Sequence, residues 1–139
     1  MRVMNADIGH VYHVHKNYVD YLKDIKGDWK TAEKDYLRWT PVFSDLGFFC
    51  LIGMHGWRST GQIWGYLDKD NGKVVLDGFF VKRGFRNKRK FLVPMYVALK
   101  DLLKQNGIKK IECEINEAIT GCLTRKKFKV SRIMVERDI

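Results

Sequence analysis

The apolar and polar positions of this chain alternate between helical and extended spacing along its whole length. Met1–Asn5 reads as a short first strand. Asp7 has the character of a helix N-cap, and Ile8, Val11, Tyr12, His15, Tyr18, Val19, Leu22 and Ile25 follow at helical spacing, with Gly27 closing the stretch. Asp28 restarts a second helix, DWKTAEKDYLRW, which the pattern ends before Pro41. The dense apolar run Phe48–Met54 reads as a buried strand and GWRSTG, 56–61, as a turn. Gln62–Leu67 is then a strand, and Asp70-Asn71-Gly72 makes a tight hairpin into a strand over Val74–Val81.

The second half opens with a basic loop, KRGFRNKRK, at 82–90. A helix over 91–107 follows, with Leu92, Met95, Tyr96, Leu99, Leu102 and Leu103 on one face. Pro94 falls in its first turn, where a missing N–H costs little, and Gly107 ends it. A strand at 109–116, a short helix at 118–128 and a last strand at Val130–Glu136 complete the order α-α-β-β-β-α-β-α-β. No repeat or linker interrupts it, so residues 1–139 read as one α/β (α+β) domain.

Composition adds a charge. The chain carries 26 Lys and Arg against 16 Asp and Glu, a net +10. That balance favours polyanionic partners: nucleic acid, nucleotide phosphates or an acidic protein surface. An apolar share of 45% supplies a packed core. Three cysteines without paired spacing, no secretory leader pattern and no apolar run of about 18 residues predict a reduced, cytoplasmic chain with no membrane partner.

The strand–basic loop–helix–strand block and the residues after it resemble the GNAT (general N-acetyltransferase) superfamily. That family carries N-x6-Y-x3-G-F after a central strand, and Asn116, Leu123, Lys127 and Phe128 fall at those spacings. Leu123 stands where the family has tyrosine, and Lys127 where it has glycine. The family's pyrophosphate loop, Q/R-x-x-G-x-G/A, aligns with Arg86-Asn87-Lys88-Arg89-Lys90-Phe91. Arg86 fits the first position; Arg89 and Phe91 replace the small residues. The K-R-K-F tract is also similar to GNAT-related proteins of tailed phages, some of them internal to the virion.

The resemblance implies a GNAT-like, mixed, mostly antiparallel sheet flanked by helices. It implies acetyl-CoA as cofactor, an amine as acceptor, and a monomer or homodimer in the cytoplasm, or in host cytoplasm or virion for a phage protein. Phe80, Val81, Arg86, Asn87, Lys88, Arg89, Lys90, Phe91 and Asn116 are then the cofactor-binding candidates. Side-chain cations of the loop would take over from a glycine-lined phosphate cradle.

For proton transfer, Asp77 breaks the apolar run VVLDGFF, and Glu112 and Glu114 share one face of their strand. Tyr96 and Tyr66 are the candidate substitutes for the family tyrosine. The second reading is a catalytically inactive basic module that holds nucleic acid or another polyanion. His10, His13 and His15 lack an acidic or cysteine partner at ligand spacing, so no metal site is expected. Cys122 has two readings, an inert buried thiol or one activated by nearby cations. Trp57 likewise either folds back on the core or stands at an exposed edge, able to stack on a base.

Overall fold

The computed structural model describes residues 1–86, 88–114, 129–131 and 134–138. Its strands are β1 (Arg2–Asn5), β2 (Phe48–His55), β3 (Arg58–Asp68), β4 (Lys73–Val81), β5 (Lys110–Glu114), β6 (Lys129–Ser131) and β7 (Met134–Asp138). Its helices are α1 (Val11–Asp24), α2 (Trp29–Lys34), α3 (Trp39–Ser44) and α4 (Arg89–Gln105). The strands form one sheet in the order β1-β2-β3-β4-β5-β7-β6. Each neighbouring pair is antiparallel except β4 and β5, which are parallel and joined through α4. A parallel pair needs such a crossover, because a tight turn can only reverse the chain.

The sheet is covered on both faces. Met95, Leu99 and Leu103 of α4 pack on Phe49, Leu51, Ile63, Val74 and Ile111. Val14 of α1 and Trp39 of α3 pack on Cys50, Ile52, Trp64 and Phe80 of the other face. Alternation along β2 accounts for the division, since successive side chains point to opposite faces. Burial pushes the Cys50 thiol up to about 12, so it sits in the core as a small apolar group.

His15 braces the helical face. Its ring Nδ1 accepts a hydrogen bond from the Trp39 indole at 2.9 Å, and Nε2 lies 3.1 Å from the Glu33 carbonyl. One tautomer, with the proton on Nε2, satisfies both. Beneath α1, the Asn17 amide donates to Ser59 at 2.8 Å and to Gln62 at 3.1 Å, which fixes the helix over β3.

The sequence pattern misplaces several boundaries. Helix α1 stops at Asp24, and the left-handed residue is Lys26 (φ 57°) rather than Gly27. Gly27 N–H reaches back to the Leu22 carbonyl at 2.7 Å, so the glycine is one position beyond the bend. The second helical stretch is broken: α2 ends at Lys34, and Pro41 lies inside α3 instead of beyond a helix end. Pro41 is third in that helix, where no intrahelical N–H bond is lost. The turn expected at 56–61 contracts to Gly56 and Trp57, and Arg58–Gly61 join β3. The last strand is two, β6 and β7, paired as a hairpin.

Candidate functional site

Among the described residues the parallel pair β4–β5 covers four positions of each strand. Its partners run from Lys73↔Lys110 to Leu76↔Cys113, yet β4 continues to Val81. On the other side Gly78–Val81 pair with β3. At the same place β4 carries a bulge. Trp64 faces Gly78 and Gly65 faces Leu76, which makes Asp77 the inserted residue. The insertion shifts the pleat by one residue. Leu76 and Phe79 both pack on the α4 side, while Phe80 packs on the α1 side.

Asp77 is exposed at this bulge. Burial first, then the negative charges of Asp77 and Asp45, push the Tyr66 phenol above its ordinary range. Tyr66 lies beside Phe48 on the face opposite α4, ring centroids 5.5 Å apart. Substituting Asp77→Asn removes one negative neighbour and is expected to lower the Tyr66 pKa. Difference absorbance titration of the phenolates against the wild type measures this; an unmoved curve would place Asp77 away from Tyr66.

The basic loop divides its cations between two faces. Lys82 and Arg86 turn toward α1. Arg86 donates from Nε to the Val81 carbonyl at 2.5 Å and from its guanidinium to Asp24 at the end of α1. Arg86 also lies over the Phe80 ring at 5.5 Å. Its charge is therefore engaged in fastening the loop to α1. Arg83, Lys88, Arg89 and Lys90 are exposed.

Lys88 is the N-cap of α4 and offers no side-chain cap, and no acidic residue lies in the first turn. Phe91 N–H turns back to the Lys88 carbonyl at 2.9 Å. The Phe91 ring is only 6% exposed and stacks edge-on to Phe85 at 4.6 Å and His55 at 5.7 Å. Phe91 thus anchors the helix inward, and the loop cations are what the N-terminus presents to solvent.

Burial first, then the neighbouring Lys16, hold the Lys82 ammonium below the usual lysine range; Asp20 opposes this and Arg58 adds to it. His13 is likewise held low, by burial and then by Lys82, His10 and Lys16. Helical spacing puts His13, Lys16, Asp20 and Asp24 on one stripe of α1, toward the end of β4.

The remaining candidates are dispersed. Glu112 pairs with Lys73 at 3.6 Å, where β4 and β5 run paired. Tyr96 is half-buried on α4. Phe80 and Val81 are buried at the end of β4. Glu114 holds a strand position opposite Met134. Asn87, Asn116, Cys122, Leu123, Lys127, Phe128 and the expected helix at 118–128 lie outside the described residues. His10 belongs to the Asp7 capping box and His15 to the core, and among the described residues no group of three or more His, Cys, Asp or Glu could hold a metal ion. Trp57 stands 94% exposed at the β2–β3 hairpin. Among the described residues no helix is long and apolar enough to cross a membrane.

No family model and no curated protein sequence matches the chain. Solved structures match it in shape. It is similar to the PaiA N-acetyltransferase from Thermoplasma acidophilum in complex with coenzyme A, at a TM-score of 0.76 and 13% identity over 100% of both chains. A GNAT-family acetyltransferase from Staphylococcus aureus gives 0.77 and 13%, over 99% of this chain and 98% of that one. Tetrahymena GCN5 gives 0.71 and 10%, over 95% and 88%. Identities this low establish fold: the chain has the fold of the GNAT acetyltransferases.

Proposed function

We propose that the chain is an acyl-CoA-dependent N-acyltransferase that acetylates an amine. The supporting observation is a juxtaposition: β4 runs through a basic loop into a cation-lined α4 N-terminus, whose N-cap Lys88 makes no side-chain cap, within a GNAT fold. The N–H groups of the first α4 turn, with Lys88, Arg89 and Lys90, suit a pyrophosphate. Acetyl-CoA supplies a thioester acyl group. Asp77 accepts the proton that the acceptor nitrogen loses as the C–N bond forms. Tyr66, whose phenol burial and Asp77 push above its ordinary range, would supply the proton that the departing thiolate takes up as the C–S bond breaks.

Calorimetric titration of acetyl-CoA into the full chain tests the reading. Micromolar binding is expected, and no heat at millimolar ligand overturns it. Turnover on a broad amine panel tests the chemistry; binding without turnover at any pH removes the catalytic part.

A second reading, a non-catalytic basic module for nucleic acid, draws on the exposed Arg83, Lys88, Arg89 and Lys90. It requires DNA or RNA binding with a steep salt dependence near physiological ionic strength, together with no response to acetyl-CoA.

A further inference from the structure

The hairpin between β2 and β3 carries an aromatic group that the reaction above leaves unused. β3 begins at Arg58, yet its pairing with β4 begins at Gly61, opposite Val81, the last residue of β4. The tip of the hairpin, Gly56-Trp57, therefore projects past the end of β4, to the side where the chain enters the basic loop. Ring contacts hold it against that loop. The His55 ring, at the end of β2, stands edge-on to Phe91 in the first turn of α4 at 5.7 Å and to Phe85 of the loop at 6.4 Å. Phe85 and Phe91 themselves meet at 4.6 Å. His55 pairs with Arg58 across a two-residue turn, whose first position is Gly56 with a positive φ of 62°. So tight a turn keeps Trp57 within about 7.6 Å of His55, Cα to Cα. The Trp57 indole is 94% exposed. The other three indoles are engaged: Lys23 lies over Trp29 at 4.6 Å, Trp39 donates to His15, and Trp64 is flanked by Tyr18 and Tyr21. Among the described residues, a Cβ at Gly56 of the tip or at Gly84 of the loop would meet nothing within 4 Å. A short turn thus fixes a large apolar ring in open space, beside the helix terminus that presents the loop cations.

We propose that Trp57 is a stacking platform for the adenine of coenzyme A. The inference rests on the acyltransferase reading, in which the pyrophosphate sits at the α4 N-terminus. Two arms leave a pyrophosphate held there. The pantetheine arm has to reach the chemistry at Asp77, which lies back along β4 from Val81. The nucleoside arm leaves the other way, past the end of β4, where the β2–β3 hairpin runs on. Trp57 stands exposed on that side, and His55 ties its turn to the first turn of α4. The loop cations suit phosphate but offer a base no flat apolar surface, and Phe91 is turned inward. An indole face supplies that surface. Stacking reads the face of a base and not its edge, so hypoxanthine in place of adenine should bind as well.

The test is calorimetry on the full chain with coenzyme A and with phosphopantetheine, which lacks the nucleotide. Trp57→Ala is expected to weaken coenzyme A at least about tenfold, within what one base–aromatic stack supplies, and to leave phosphopantetheine unchanged. Trp57→Phe should keep most of the affinity. Coenzyme A should also quench the tryptophan emission of the wild type, where phosphopantetheine does not. That quench should vanish in Trp57→Phe although binding persists, which a merely structural role of the hairpin would not produce. Should Trp57→Ala fail to fold by circular dichroism, the quench in the wild type and its loss in Trp57→Phe decide the matter. Equal affinity of wild type and Trp57→Ala for coenzyme A overturns the platform and leaves the acyltransferase reading standing. Equal losses of both probes in Trp57→Ala overturn it too, as damage to the hairpin. No binding of either probe to the wild type overturns both readings. If Trp57→Ala then weakens a single-stranded oligonucleotide, the indole serves nucleic acid instead.

Discussion

Replacing Lys88, Arg89 and Lys90 together by glutamate is expected to weaken coenzyme A binding by at least about a hundredfold, roughly 2.7 kcal/mol. All three side chains are exposed at the α4 N-terminus, where among the described residues no side-chain cap competes for the first N–H groups. A single charge-assisted contact is worth about 1.5–3 kcal/mol, and reversal adds repulsion to its loss. The fold should survive, because these side chains contribute little to the core. Arg86→Ala is expected to behave differently. Its guanidinium holds Asp24 and the Val81 carbonyl, so its loss loosens the loop against α1 and weakens the cofactor only through that. Calorimetry at two salt concentrations separates the cases. The wild-type affinity should fall with salt, and the triple variant should be nearly insensitive. Equal losses in the two variants would mean that the phosphates sit elsewhere.

Gly78→Ala is expected to cost about 3 kcal/mol, the upper part of the range for overpacking. A Cβ at Gly78 would lie 2.2 Å from Trp64 Cζ2 and 2.4 Å from Cη2. The indole has nowhere to retreat: it is buried, with Tyr18 and Tyr21 set edge-on at 6.1 and 5.1 Å. For a chain of this size the melting temperature should drop by about 10 °C. Gly84→Ala is the control, since a Cβ there meets nothing within 4 Å. Urea unfolding followed by tryptophan fluorescence measures both. Similar midpoints for the two would show that Trp64 re-packs without strain.

How much of this was legible depended on range. The Asp70–Gly72 hairpin is local turn chemistry, and Gly72 takes the positive φ of 63° that such a turn needs. The strand–loop–helix–strand block was legible from periodicity, and it carries the parallel β4–β5 pair. Asp77 stood out as a charge inside an apolar run, and the bulge gives that charge its place. The loop was different. Six cations between positions 82 and 90 look equivalent in sequence, yet Arg86 finds its partner at Asp24, 62 residues away, and Lys82 turns to Lys16. Nothing local distinguishes them from Arg89 or Lys90. The same holds for Phe91, whose place in the pyrophosphate motif concealed an inward anchor against His55.

The bulge at Asp77 gives β4 something like a reading frame. Upstream of it, Val74 and Leu76 share one face; downstream, that face belongs to Phe79, and Phe80 goes to the other. Two adjacent aromatic residues can serve two separate cores only because one extra residue separates them from the alternation before. Any side chain able to take up the bulged backbone leaves that frame intact. Deleting the residue would turn the strand over from Gly78 onward, carrying Phe80 to the α4 face, Phe79 to the α1 face and Lys82 away from Lys16. At this position a length change is a different lesion from a change of side chain: the first inverts the end of the strand, the second alters one group upon it.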